Sequence, residues 1–310
     1  MRLTTTVKGT VVKRVAPRVA VYAGLAAVAA VLVLELGVHA YIGSLAHSLL
    51  GIALGMLLVF RTNAAYDRYW EGRRRWSAIV AASRNLVRGA IGHARDPGPI
   101  AQLVTAYVTA LRHRLQGDQE TRDVQRRLGD EDARALGPMT ADPLALTARI
   151  TARIQEHVES GALRPEIASS LERYVGQLVE HQSACERIAT SPVPIAYAAQ
   201  IRHLLVVYLA TLPFALVAEL GWLTVPAMAV IAFGLIGIEE AGMEIEDPFG
   251  HDENDLPLQA FCDGLAADAK VLTESGRGPA RARSRTTSSL IPLSRAGELG
   301  AVELDVLVEL

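Results

Sequence analysis

The chain has 310 residues, half of them hydrophobic, with a formal net charge of −2 and two cysteines. That composition points to the membrane class and away from a simple soluble enzyme, and the balanced charge offers no basic face for nucleic acid. Cys185 and Cys262 lie too far apart in sequence to suggest a disulfide framework or a metal pair, so most of the chain is expected in a reducing compartment.

In chain order, the first uncharged stretch is Val19 to Leu34, preceded by Lys8, Lys13, Arg14 and Arg18. It reads as a membrane span whose short length is extended by the snorkelling stem of Arg18. The same pattern, with Val38-His39-Ala40 as a small-residue cleavage site, is open to reading as a signal peptide. The second stretch, Leu36 to Phe60, has no Asp, Glu, Lys or Arg and then breaks into charged sequence at Arg61. Within it Ile52, Met56 and Phe60 recur every fourth residue, drifting only about 40° per step, so they share a helix face that Asn63, Asp67 and Trp70 continue. Periodicity allows two readings of that stripe: a surface packed on a neighbouring helix, or the wall of a water-filled pore with a dry constriction. Gly51 and Gly55 form a small-xxx-small pair that permits close helix approach beside it.

The polar middle predicts amphipathic helices without alternating strand runs. Ser77 to Arg95 is stopped by Asp96-Pro97-Gly98-Pro99, and Ile100 to Leu115 follows. A polar connector runs from Gly117 to Ala141. Asp142 is a candidate N-cap with Pro143 at the first helical position, opening a helix to about Ser160. Arg164 to Thr190 is a longer helix that Pro192 and Pro194 end. Two further spans, His203 to Ala218 and Leu220 to Ile238, give four in two hairpins. Basic residues flank one end of each hairpin, Lys13, Arg14 and Arg18, then Arg61, Arg68, Arg73, Arg74 and Arg75, and Arg202, so those ends and both termini are expected to be cytoplasmic.

Chemistry is sparse. No phosphate-cradling glycine loop, nucleophile elbow or zinc-protease motif occurs, and the chain is expected not to be an enzyme. His181 and Cys185 are one helical turn apart, the spacing of either a metal pair or ordinary surface and core. With no acid inside the apolar stretches, a passive route is favoured over a pump. The run from Glu239 to Pro257 is dense in carboxylates around a Pro-Phe-Gly turn, which suits either a hard cation or a solvated face with helix caps. It is not an EF-hand, because a loop starting at Asp252 puts Leu256 at a ligand position. From about Thr273 to Leu310 the composition becomes that of a flexible tail.

The segments are therefore expected as 1–76 (N-terminal segment and first hairpin), 77–201 (cytoplasmic helical region), 202–245 (second hairpin), 246–272 (acidic turn and helix) and 273–310 (tail). Competing functions are a membrane-anchored scaffold or sensor and a small-molecule transporter.

Three motifs together carry a resemblance: the run from Phe60 to Arg73, the run from Glu246 to Pro257, and Glu186 to Tyr197 leading into Leu212-Pro213-Phe214. In this order and spacing the chain resembles the bacterial bestrophin family over roughly residues 1 to 270. The resemblance implies an all-α membrane protein with four transmembrane helices and a cytoplasmic helical bundle, assembled as a homopentamer around a central pore. It implies passive conductance of small monovalent ions across a bacterial inner membrane, with the lipid bilayer, its own copies and inorganic ions as partners. Animal relatives pass chloride, whereas bacterial ones are associated with cations such as sodium. The family's neck positions fall on Ile52, Met56 and Phe60, where methionine departs from the usual branched aliphatic or aromatic residue. A second, cytoplasmic constriction falls on Ile167, and the pore-mouth charges are expected at Arg61, Asn63, Asp67 and Arg68. No cofactor is required. Calcium or another divalent cation is a candidate ligand of side chains at Asp252 and Asp255 and backbone carbonyls at Glu244 and Asp247, although Gly242-Met243 replaces an acid-bearing pair.

Overall fold

The computed structural model describes residues 11–38, 42–118, 120–191 and 194–276. Lys8, His39, Ala40, Pro192, Val193 and the tail beyond 276 lie outside the described residues. The secondary-structure elements of the described residues are all helices, with no strand among them. They form two compact units, each discontinuous in sequence: Met1–Ala78 with His113–Asp118 and Glu180–Pro257, and Ile79–Arg112 with Gln119–Val179 and Leu258–Leu310.

The first unit is built on four apolar helical segments. Helix α1, Val12–Ala30, continues through a π-helical turn, Val31–Glu35. Helix α2, Ser44–His93, is continuous for 50 residues and gives its first part to this unit. Helices α8, Ile195–Leu220, and α9, Thr224–Glu244, are separated by a 3-10 turn, Gly221–Leu223, in which Gly221 has φ +53°. That left-handed geometry suits glycine and ends α8. An ion pair of 3.1 Å between Arg202 and Glu239, on either side of the turn, shows that α9 folds back along α8.

The core of the unit follows helical spacing. Ile201, Leu205, Leu209 and Leu212 of α8 meet Met228, Ala232 and Ile236 of α9, with Leu54 and Leu58 of α2 and Val15 and Ala26 of α1. Burying side chains of this size stabilises by about 1.5–3 kcal/mol each relative to leaving them in water. The same helices also expose Leu45, Leu49, Val206, Val230 and Phe233. Helices apolar on nearly all sides belong in lipid. Three helical runs, Val12–Glu35, Leu45–His93 and Ala196–Glu244, are long and apolar enough to cross a membrane, and the third contains the fold-back. This is a membrane protein.

One boundary differs from the sequence reading. The second apolar run starts its helix at Ser44, and the chain before it turns at Gly37, whose φ of +66° is left-handed. The same helix passes Phe60 and Ser77 without a break, since no proline falls inside it and its glycines keep helical geometry.

The second unit contains the end of α2 and helices α3 (Gly98–Gln116), α4 (Thr121–Gln125), α5 (Asp130–Leu136), α6 (Pro143–Glu159), α7 (Pro165–Thr190) and α10 (Leu258–Gly276), with the last residues of α3 and of α7 belonging to the first unit. The stretch expected as a plain connector therefore holds α4 and α5. Leu86, Leu103, Leu111, Ile150 and Ile154 are fully buried here, and the hydroxyl of the equally buried Tyr107 donates to the Leu178 carbonyl at 3.0 Å. Asp142 caps α6 by accepting from the Leu144 amide at 2.9 Å, with Pro143 at the first turn. Buried Asp132 accepts from Arg149 and Arg153 at 2.7 and 2.8 Å, pinning α5 to α6.

Candidate pore-lining face and the charged end of the bundle

Helix α2 has two faces set by one period. Leu54, Leu58, Arg61 and Ala65 recur at helical spacing and are buried, so they fix the helix against the core. On the opposite side Leu45, Leu49, Ile52, Met56 and Phe60 are exposed, followed by Asn63, Asp67 and Trp70. Ile52, Met56 and Phe60 keep 65%, 55% and 56% of their surface. The stripe changes from apolar to polar just after Phe60. Asp67 makes no ion pair among the described residues. Tyr66 and Tyr69 meet the Trp70 ring edge-on, and the Arg73 guanidinium lies 5.5 Å from its centroid.

Arg61 and Arg68, expected beside Asn63 and Asp67 at the mouth, are corrected by the structure. Arg61 is 3% exposed and points into the bundle, its Nη1 3.4 Å from Glu239 and its Nη2 3.7 Å from Glu246. Arg68, seven residues on and on the same side, donates to the Glu246 carbonyl at 2.7 Å, to the Ser191 carbonyl at 2.5 Å and to the Ile188 carbonyl. It thus satisfies the free carbonyls at the C-terminal end of α7. The helical period that puts Phe60 on one face puts Arg61 and Arg68 on the other.

Glu239 and Glu240 were not singled out by the sequence, yet they organise this end of the bundle. Glu239 is reached by Arg61 from α2, Arg202 from α8 at 3.1 Å and Arg18 from α1 at 3.8 Å, while Arg18 also pairs with Glu240 at 2.9 Å. The usable signal was their position three and four residues after Ile236, in register with Ala232 and Met228 on the buried face of α9.

The acidic turn sits on α2 just below this level. Pro248 and Phe249 are buried, and a Cβ added at Gly72 would lie 2.9 Å from the Pro248 ring and 3.2 Å from Phe249 Cζ. Only glycine lets the turn come this close. Around it, the Gln116 side chain donates to the Gly250 carbonyl at 3.2 Å and His251 lies 3.4 Å from Asp118.

Of the four predicted metal residues, Glu244, Asp247, Asp252 and Asp255, three have internal partners. Asp252 pairs with Arg14 at 3.1 Å, Asp255 accepts from the Asp252 amide at 2.6 Å, and Asp247 accepts from the Phe249 amide at 3.2 Å. Burial, and then the like charges of Asp252, Asp247 and Glu244, push the Asp255 carboxyl up to about 6, against a backbone hydrogen bond that lowers it. Among the described residues no three His, Cys, Asp or Glu side chains converge as an ion site. No step below runs through a metal. His181 and Cys185 likewise form no metal group, and burial pushes the Cys185 thiol up to about 12. Ile167, in the first turn of α7, is half-buried and belongs to the second unit.

The model of the bacterial and fungal bestrophin proteins matches residues 1–271. The chain belongs to this family. It is 36% identical over 231 residues to a voltage-dependent anion channel-forming protein of Synechocystis sp., covering 72% of this chain and 75% of that one. A protein of the same description from Nostoc sp. is 35% identical over 230 residues, with the same coverage. Among solved structures, a bacterial bestrophin homolog from Klebsiella pneumoniae superposes with a TM-score of 0.76 at 28% identity, over 83% of this chain and 97% of that one.

Proposed function

We propose that this bestrophin is a passive ion channel, a homopentamer in which one α2 from each copy lines a central pore. The observation that carries the proposal is the exposed stripe on α2, apolar through Ile52, Met56 and Phe60 and polar from Asn63 onward, opposite a face committed to the core. Five copies of that stripe would close into apolar rings, and apolar rings hold back ions by dewetting without any charged gate. The names of the Synechocystis and Nostoc relatives, voltage-dependent anion channel-forming proteins, support the channel class. In this reading α1, the first part of α2, α8 and α9 each cross a bacterial inner membrane. The end bearing Arg18, Arg61 and Arg202 faces the cytoplasm, in keeping with the usual bias of basic residues. Ile167 is proposed as a second constriction in the cytoplasmic part.

Cations are the second reading of the permeant ion, favoured by one observation. Arg61 and Arg68 are engaged in the bundle, whereas Asp67 stays exposed on the stripe without an ion pair among the described residues. A ring of carboxylates at a mouth attracts cations.

The experiment is planar-bilayer recording of purified protein with Ile52, Met56 and Phe60 replaced together by alanine. Removing the dry rings should raise open probability or alter permeation, and unchanged currents would remove the neck assignment. A scaffold would give no conductance at all, and a coupled transporter a saturating flux. Adding calcium to the channel and to D252N/D255N tests the ligand expectation for the acidic turn. Equal currents and no bound metal in both would dispose of it.

A further inference from the structure

The neck residues explain where an apolar gate would lie, but leave open what holds α2 at the rotation that presents them. Phe60 and Arg61 are consecutive, so they point about 100° apart around the helix. If Arg61 is fixed in azimuth and height, Phe60 is fixed as well.

Arg61 is the most constrained side chain at this level. It is 3% exposed, its Nε is buried without a hydrogen-bond partner, and only its two terminal nitrogens meet carboxylates, those of Glu239 and Glu246. Glu239 is itself 3% exposed and takes an arginine from each of the other three helices of the bundle: Arg18 of α1, Arg61 of α2 and Arg202 of α8. Glu240 takes a second contact from Arg18. Around the hub three guanidinium groups face three carboxylates, so the cluster is neutral as a whole. Next to it the Thr62 hydroxyl lies 3.5 Å from where a Cβ on Gly242 would sit, so α2 and α9 approach closely here.

We propose that Glu239 is the positioning residue of the neck, a buried carboxylate that ties α1, α2 and α8 to α9 and so sets the rotation and height of α2. The proposal rests on the reading of Ile52, Met56 and Phe60 as the neck. Turning or sliding α2 would pull a buried guanidinium away from its carboxylates, and an uncompensated buried charge is far more costly than an exposed one. The hub therefore biases α2 towards the rotation seen here, which the pore reading takes as the shut one because it presents Ile52, Met56 and Phe60 to the axis. Glu239 acts on α2 through Arg61.

The test uses the full-length chain reconstituted in bilayers, comparing wild type with F60A, E239Q, E239D and E246Q. Met56→Cys is also reacted with a water-soluble thiosulfonate in the wild-type and E239Q backgrounds, where Cys185 and Cys262 are buried. E239Q keeps the size of the side chain and removes its charge, so the ratio of open to closed time should rise about tenfold or more, and modification at position 56 should speed up in parallel. E239D should recover part of the effect, because the charge returns on a shorter stem. A merely structural role would lower thermal stability but leave both readouts unchanged in the channels that assemble. If F60A alters the currents while E239Q and E246Q leave the open ratio and the modification rate within about twofold of wild type, below one decade of population shift, the positioning role is refuted and the neck stands. If F60A is also without effect, the neck reading falls and takes this proposal with it. Should E239Q fail to assemble, E246Q decides, since it weakens only the second partner of Arg61. A shift of about threefold in the same direction supports the hub, and none overturns it.

Discussion

Substituting Gly72 by alanine sets two effects of known size against each other. In the middle of a helix the change from glycine to alanine is worth about 1 kcal/mol in favour of folding. At this position, however, the new methyl would lie 2.9 Å from Pro248 Cγ and 3.2 Å from both Pro248 Cβ and Phe249 Cζ. The obstacles are a rigid proline ring and a fully buried aromatic ring, and the Pro248 carbonyl is held by the Leu256 amide at 3.0 Å. Neither can swing away as the end of a lysine could. Overpacking of that kind costs about 1–3 kcal/mol, so the clash outweighs the propensity gain and G72A should be destabilised by about 1 kcal/mol net. For a chain of this length that is a fall of about 2–4 °C in thermal midpoint, readable by tryptophan fluorescence of the purified protein in detergent. G72L should fall further. A midpoint that rises with G72A, as it would on an open helix surface, would show that the acidic turn is not seated on α2 and refute the reasoning.

Arg68→Ala removes a side chain that donates to three backbone carbonyls, and should cost about 2–4 kcal/mol, with lysine recovering less than half because it lacks the fork; thermal melts of the two variants check this. The Asp255 carboxyl is raised to about 6, above its ordinary unfolded value near 4, so the folded state holds its proton more tightly. Its contribution to stability is therefore greatest below about pH 4 and is lost as pH rises through about 6, and D255N should flatten that part of the curve. The amide oxygen can still accept from Asp252, so the midpoint at pH 7 should not fall; a wild-type-minus-variant difference constant from pH 4 to 8 would count against the assignment. Asp67→Asn should move the reversal potential in asymmetric sodium chloride towards the chloride equilibrium value, and an unmoved potential would show that Asp67 does not face the ion path.

Much of the fold can be read along the chain because membrane helices are apolar on long, uninterrupted runs, and a 3.6-residue period marks their faces. Ile52, Met56 and Phe60 are legible in that way, as is the cap at Asp142. The burial of Arg61 was also within reach: it lies three residues after Leu58 and seven after Leu54, on the face away from Phe60. A charge next to a mouth attracts attention as a mouth charge, and only its period argues otherwise. The start of α2 at Ser44 has no charged marker, because no Asp, Glu, Lys or Arg separates it from Leu36, and the left-handed backbone at Gly37 marks the turn before it.

By itself the sequence determined the all-helical class, the apolar helices, the periodic stripe and the family, because these depend on composition, on period and on short motifs in a fixed order. The tertiary structure decided which charges are spent inside the bundle and which remain outside. Glu239 gathers arginines from positions 18, 61 and 202, and Gly72 receives a turn that begins more than 170 residues later. Such pairings depend on how helices lie side by side, and no local period of a single helix contains that information.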